Sequence, residues 1–190
     1  MNTTTPASEL RVEVLACMAK LTQQNLGHTK VMKLCYFLQE LEGVPLGYDF
    51  TLYTYGPYQP EVLSDLATAC NLGAVAEKTV KYSRGYGYDI SAGTHAEKMT
   101  QDLKQNDPVL FAQIERVVNE FGSFGAAELE LRSTIFFVDR ELTQSSVSPY
   151  RSVLVERVGA IKPRFSREDI QKAADEMADK GWLKTEIRAT

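Results

Sequence analysis

Apolar side chains recur at helical spacing through most of this 190-residue chain. The predicted helices span residues 8–24, 29–41, 60–72, 94–105, 108–121, 126–141, 151–161 and 166–179. Ser8 and Thr29 are predicted to cap the first two helices. Asp107-Pro108 marks the start of the fifth helix, and Ser166 opens a capping box in which Asp169 replaces the usual glutamate.

Two segments depart from the helical spacing and favour β-structure. Residues 50–55 combine aromatic residues with threonine, which is typical of a short strand, and Gly56-Pro57 predicts a turn after it. Residues 74–90 predict a hairpin around the glycine turn at 83–85. We expect strands near 50–54, 75–81 and 86–90 to form one small antiparallel sheet.

Three helices followed by a hairpin is the element order of a winged helix. The sequence therefore predicts a mainly α fold (α+β), with a winged-helix-like region over residues 1–93 and a helical region over 94–190, packed together as one compact unit. No run approaches the roughly 20 apolar residues of a membrane helix, and the first residues lack a signal-peptide pattern. We expect a cytoplasmic protein without a membrane partner.

The charge balance argues against nucleic acid as the main partner. The chain carries a formal net charge of −4, and each half has two more acidic than basic residues. A nucleic-acid-binding protein usually shows a basic excess or a basic face. The balance disfavours DNA binding, although it leaves a local basic face open.

The segment from residue 33 to 65 carries a resemblance to known proteins. KLCYFLQE, then PLGYDF, then LYTYGPYQPEVLSDL resembles the YwgA-like bacterial proteins and, more distantly, the Panacea (SocA-like) antitoxin domain. The resemblance implies a bacterial or phage protein that holds a neighbouring toxin inactive, or an adaptor of similar kind. The hallmark residues of these families correspond here to Lys33, Leu34, Tyr36, Phe37, Tyr55, Gly56 and Pro57.

Residues within the same segment are candidates for a partner-binding surface. They are Lys33, Tyr36, Tyr53, Tyr55, Gly56, Pro57 and Tyr58. Tyrosines clustered around a rigid Gly-Pro corner are typical of interfaces, but they could equally pack the turn against the helices. Lys33 is either a partner-binding or anion-binding cation, or a lysine that extends out of the core or pairs with Glu40 or Asp49.

An alternative interpretation makes the winged helix a DNA-binding regulator. Lys78, Lys81 and Arg84 lie on the predicted wing, where they could contact phosphates. The presumed recognition helix, in contrast, carries Glu61 and Asp65 and no basic residue, which is the wrong sign for entering a groove.

No set of residues with catalytic or metal-ligand spacing is evident. His28 and His95 are far apart, and each is predicted at a helix start. Cys17, Cys35 and Cys70 lie inside apolar helical patterns and are predicted to be small buried hydrophobic residues. We expect no metal or organic cofactor and no enzyme activity.

These features together predict a non-catalytic regulatory protein-interaction module, antitoxin-like or adaptor-like. Its expected partner is a protein, a toxin encoded nearby being one candidate and a second copy in a homodimer another. The alternative is a winged-helix DNA-binding transcriptional regulator.

Overall fold

The structure is a computed structural model that describes residues 7–22, 26–82, 85–144 and 150–186. Over these residues the chain is mainly α, as predicted, with eight helices and two β-hairpins. In chain order the elements are α1 (Ala7–Leu21), α2 (His28–Glu40), β1 (Thr51–Tyr53), β2 (Gly56–Tyr58), α3 (Glu61–Asn71), β3 (Val75–Tyr82), β4 (Gly85–Ala92), α4 (Ala96–Asn106), α5 (Pro108–Phe121), α6 (Ala126–Gln144), α7 (Arg151–Ile161) and α8 (Arg167–Asp179).

The capping box predicted at Ser166 is present, whereas Ser8 and Thr29 lie inside α1 and α2 and do not cap them. The Asp107 carboxylate accepts a hydrogen bond from the backbone N–H of Leu110 at 2.9 Å at the start of α5. At the start of α8, Ser166 and Asp169 form the reciprocal capping box. Each cap satisfies backbone N–H groups that have no partner within the helix, and so fixes where the helix begins.

The chain divides into two compact units. Unit 1 comprises the described residues of Met1–Phe50 and Gln59–Gly125, and unit 2 those of Thr51–Tyr58 and Ala126–Thr190. The division therefore does not follow the boundary at residues 93 and 94 that the sequence suggested. Helices α4 and α5 belong to unit 1, because α1 packs against both of them.

Unit 1 has the element order of a winged helix, with α1, α2 and α3 followed by the hairpin β3–β4. The predicted strand near 50–54 does not join this hairpin, which corrects the expectation of a single sheet. Leu26, between α1 and α2, pairs instead with Ile90 of β4, whose N–H donates to the Leu26 carbonyl at 2.8 Å. A single paired residue cannot show the alternation of apolar and polar side chains that marks a strand, so the sequence did not predict this pairing.

Helix α2 contributes nine buried residues to unit 1. Its predicted apolar face is confirmed, since Val31, Leu34, Cys35 and Leu38 are at most 2% exposed. Phe37 stacks on Phe121 of α5 with ring centroids 3.9 Å apart. Burial on several sides explains why almost every residue of this helix contributes to the core.

The cysteines largely fulfil the prediction of buried hydrophobic residues. Cys17 and Cys35 are at most 1% exposed, whereas Cys70 is only half-buried. Burial raises the pKa of the Cys17 and Cys35 thiols to about 12. Both thiols are therefore protonated at neutral pH, which makes them poor nucleophiles.

Unit 2 consists of the hairpin β1–β2 and the helices α6, α7 and α8, which pack against one another. Thr51 pairs with Tyr58, Leu52 with Pro57 and Tyr53 with Gly56. The turn is therefore the two-residue loop Thr54-Tyr55, and Gly56-Pro57 belongs to a strand, which corrects the turn expected there. Proline is tolerated because each strand of a two-stranded sheet has a free edge.

No helix in the described ranges combines the length and apolarity needed to cross a membrane.

Candidate functional site

The hairpin of unit 2, residues 51–58, presents a cluster of tyrosines and is called the tyrosine hairpin below. Tyr53 and Tyr55 are 67% and 62% exposed, which is unusual for side chains of this size. Tyr58 is half-buried, with its ring centroid 6.0 Å from that of Tyr53. The hairpin thus presents two exposed aromatic side chains, Tyr53 and Tyr55, and Tyr58 packs beside Tyr53.

A glycine allows the hairpin to lie close to α6. Gly56 has a φ of +86°, a conformation that residues with a side chain rarely adopt. A Cβ at this position would lie 3.1 Å from the hydroxyl oxygens of Ser133 and Thr134. Both the backbone conformation and the lack of space therefore require glycine, and the strand is held tightly against the helix.

A buried ion pair supports the loop of the hairpin. The Lys162 ammonium donates to the carbonyl oxygens of Thr54 and, at 3.5 Å, Tyr53. The same nitrogen lies 3.1 Å from Glu130 Oε1 on α6, and the two side chains are only 3% and 4% exposed. Charge-assisted hydrogen bonds in a buried setting are strong, so they fix the loop backbone below Tyr53 and Tyr55.

Glu130 has a second cationic partner. Its Oε2 accepts a hydrogen bond from Arg164 Nη2 at 2.5 Å, and the Arg164 side chain is about half exposed. The carboxylate therefore lies between a buried cation and one that reaches solvent. Sequence reasoning missed this cluster; its one local signal is that Glu130 falls between two buried leucines in α6.

Two of the predicted partner-binding residues are not at the surface. Lys33 and Tyr36 lie on α2 in unit 1, and each is 2% exposed. The ring of Tyr36 packs edge-on against Phe50, with centroids 5.2 Å apart. Lys33 does not extend to solvent, so neither side chain is accessible to a partner in this structure. Gly56 and Pro57 are also buried and shape the hairpin without presenting a surface.

The predicted wing does not gather its lysines on one face. Lys78 and Lys81 are exposed on β3, opposite Asp89 and Tyr86 of β4 respectively. Because neighbouring side chains of a strand alternate between faces, residues three apart point to opposite sides of the hairpin. Arg84 lies outside the described residues. The two lysines therefore do not form a single phosphate-binding face.

The acidic residues of α3 are compensated within unit 1. Arg11 Nη1 lies 2.5 Å from Glu61 Oε1 and 3.3 Å from Asp65 Oδ2. The Tyr48 hydroxyl donates to Asp65 at 2.8 Å, and burial raises the pKa of Tyr48, so the donor stays protonated. Repulsion by these carboxylates is therefore reduced. The exposed residues of α3 nevertheless include no basic side chain; they are Glu61, Ser64, Ala67, Thr68 and Asn71.

The two histidines lie at helix starts, as predicted. His28 is the first residue of α2, where its ring stacks on Tyr88 at 4.0 Å and its Nε2 lies 2.6 Å from Glu77 Oε2. His95 occupies the N-cap position of α4, and its Nδ1 donates to the Leu72 carbonyl at 2.9 Å. His28 thus links α2 to the hairpin β3–β4, and His95 links the start of α4 to the end of α3. Within the described ranges no three metal-ligating side chains come together.

The residues that carry the family resemblance are divided between the units. Those in KLCYFL belong to α2 of unit 1, and Tyr55, Gly56 and Pro57 belong to the tyrosine hairpin of unit 2. The relation to YwgA-like and Panacea proteins stays a prediction from those residues. No family model matches the chain, and no curated protein shows significant similarity to it.

Proposed function

We propose that this chain is a non-catalytic regulatory module of the cytoplasm, antitoxin-like or adaptor-like, that binds a partner protein through the tyrosine hairpin. The observation that carries the proposal is the exposure of Tyr53 and Tyr55 above a loop whose backbone is held by the buried Lys162–Glu130 pair. The resemblance around residues 33–65 agrees with it and points to a protein encoded nearby as the partner.

The physical basis is the low entropic cost of binding through side chains on a fixed backbone. Ordering each rotamer-rich side chain at an interface costs roughly 0.5–1.5 kcal/mol, and a loop whose backbone is already fixed adds little further ordering cost. Tyrosine is also enriched among the residues that contribute most to interface affinity. Truncating two such residues should cost about 2–4 kcal/mol together, which weakens Kd by about 30-fold to 1,000-fold.

The test is to co-express the chain with the proteins encoded beside it and to measure each complex by size-exclusion chromatography with light scattering. The double variant Tyr53→Ala/Tyr55→Ala should lose the complex and keep its thermal midpoint, since both side chains lie in solvent. Tyr86→Ala is a matched control, because Tyr86 is 75% exposed in unit 1. Unchanged binding by the double variant, or equal loss in the control, would contradict the proposal.

A DNA-binding regulator is the second candidate, and the winged-helix element order of unit 1 favours it. Two observations stand against it: α3 exposes no basic side chain, and the two lysines of the wing point to opposite faces. Heparin chromatography distinguishes the two: a DNA-binding protein is retained until high salt, and Lys78→Ala/Lys81→Ala then elutes earlier. A protein-binding module of net charge −4 should pass through the column.

A further inference from the structure

A cavity of about 270 Å³ opens in unit 1 between α1, α3 and α4, away from every residue assigned so far. Its apolar side is formed by Val12, Leu72 and Met99, and its polar side includes the carboxylates of Glu9 and Glu13. Leu72 is 54% exposed, which is high for a leucine and places an apolar side chain at the opening. The cavity therefore combines an aliphatic lining with negative charge.

Within the described part of unit 1, no ion pair compensates the negative charge of this cavity. Glu9 and Glu13 are one turn apart on α1, so they face the same side of the helix. Burial, with the nearby charges of Glu9, Asp102 and Asp107, raises the pKa of Glu13. Among the described residues, no basic side chain forms an ion pair with Glu9 or Glu13.

The helix dipole explains the position of Glu9 but not that of Glu13. Glu9 lies in the first turn of α1, where a negative charge interacts favourably with the helix dipole. Glu13 is a full turn further along, beyond the range of that effect, and is half-buried among groups of like charge. A cation in the cavity would remove this repulsion.

We propose that the cavity binds an alkyl cation, meaning an ammonium or guanidinium group on a short aliphatic stem. The stem would lie along Val12, Leu72 and Met99, as the methylenes of lysine and arginine do on apolar surfaces. The charged head would be held by Glu9 and Glu13 through charge-assisted hydrogen bonds. The volume lies just below the range of drug-sized sites, which fits a single chain better than a ring system.

Such a group can come from a free amine or from a lysine or arginine side chain of a polypeptide. Both sources can be tested on the full chain by NMR of methionine methyl groups labelled with ¹³C. Met99 lines the cavity, and its signal among the five methionines is assigned with Met99→Leu. The probes are butylguanidinium, the neutral butanol and the blocked peptide acetyl-Gly-Arg-Gly-amide.

Butylguanidinium or the peptide should shift the Met99 signal in a saturable manner with Kd on the order of 1 mM, and butanol should not. Glu13→Gln should weaken binding by at least about tenfold while the protein stays folded, since the change removes repulsion. Glu156→Gln, an exposed change of the same charge on α7, should leave Kd unchanged. Tighter binding of the peptide identifies a polypeptide as the source, and tighter binding of the free cation a small molecule.

Two results would overturn the proposal. One is an equal response to butanol, which would mean that the cavity takes any short apolar chain. The other is a Met99 signal that no cation shifts. Neither result depends on the tyrosine hairpin, so this proposal and the proposed function fail separately.

Discussion

Replacing Lys162 by methionine tests how the tyrosine hairpin is held. Methionine keeps most of the length of the lysine stem and removes the ammonium group. The carbonyl of Thr54 then loses its donor, and Glu130 loses a buried cation 3.1 Å away. Breaking a buried ion pair by removing one partner costs about 3–5 kcal/mol. Because Glu130 keeps Arg164, we expect the lower end, about 3 kcal/mol.

Urea unfolding at neutral pH, followed by fluorescence, measures this change in the free energy of unfolding. Trp182 is the single tryptophan of the sequence and belongs to unit 2, so its emission reports on the unit that holds the hairpin. Lys172→Met provides the matched control, since Lys172 is exposed on α8 and such a change usually stays within about 0.5 kcal/mol.

A second variant separates loss of charge from loss of packing. Glu130→Met combined with Lys162→Met leaves no buried charge unpaired, and apolar replacement of a whole pair is often close to neutral. The double variant should therefore recover much of the stability lost in Lys162→Met. If Lys162→Met lowers the free energy of unfolding by less than about 1 kcal/mol, the reasoning is refuted, because removing one partner of a buried ion pair costs more than that.

Three further predictions concern packing and reactivity. Leu34→Ala should lower the free energy of unfolding by about 2–5 kcal/mol, since Leu34 is fully buried in unit 1. Urea unfolding followed by circular dichroism, which reports on the helices of both units, measures this loss, and a near-neutral result would mean that this face of α2 is not core. Gly56→Ala should destabilise by at least about 1–2 kcal/mol, because alanine is strained at a φ of +86°. In a thiol-labelling experiment followed by peptide mass spectrometry, half-buried Cys70 should react before Cys17 and Cys35, whose raised pKa keeps them protonated; equal rates would show that burial does not protect them.

The helices were readable from the sequence because each carries its own local signal. Spacing of apolar residues locates α2, and the Asp107-Pro108 pair and the capping box at Ser166 place the starts of α5 and α8 to within a residue. The wing hairpin was equally visible, since β-prone residues flank a glycine. These features depend on neighbours along the chain, which is the information that a single sequence contains.

Only part of the candidate site could be predicted from the sequence, because the residues that support the hairpin are distant from it in the chain. Tyr53 and Tyr55 were predicted as interface residues, but nothing near Lys162 indicates that its ammonium lies beneath their loop. Burial of Lys33 was hidden for the same reason, since lysine normally reaches solvent. The pairing of Leu26 with Ile90 is another long-range contact. Because no local pattern indicates it, the third strand of the wing was wrongly predicted near residues 50–54.

The separation along the chain between the tyrosine hairpin and its support also has a consequence in time. Thr54 is made 108 residues before Lys162, the lysine that holds its carbonyl. At a synthesis rate of roughly 5–20 residues per second, the hairpin leaves the ribosome about 5–20 s before that lysine. A chain that stops between residues 58 and 162 contains every tyrosine of the site but lacks the ammonium group that holds its loop. Early termination would thus yield a product with the full recognition sequence but no fixed surface to present it.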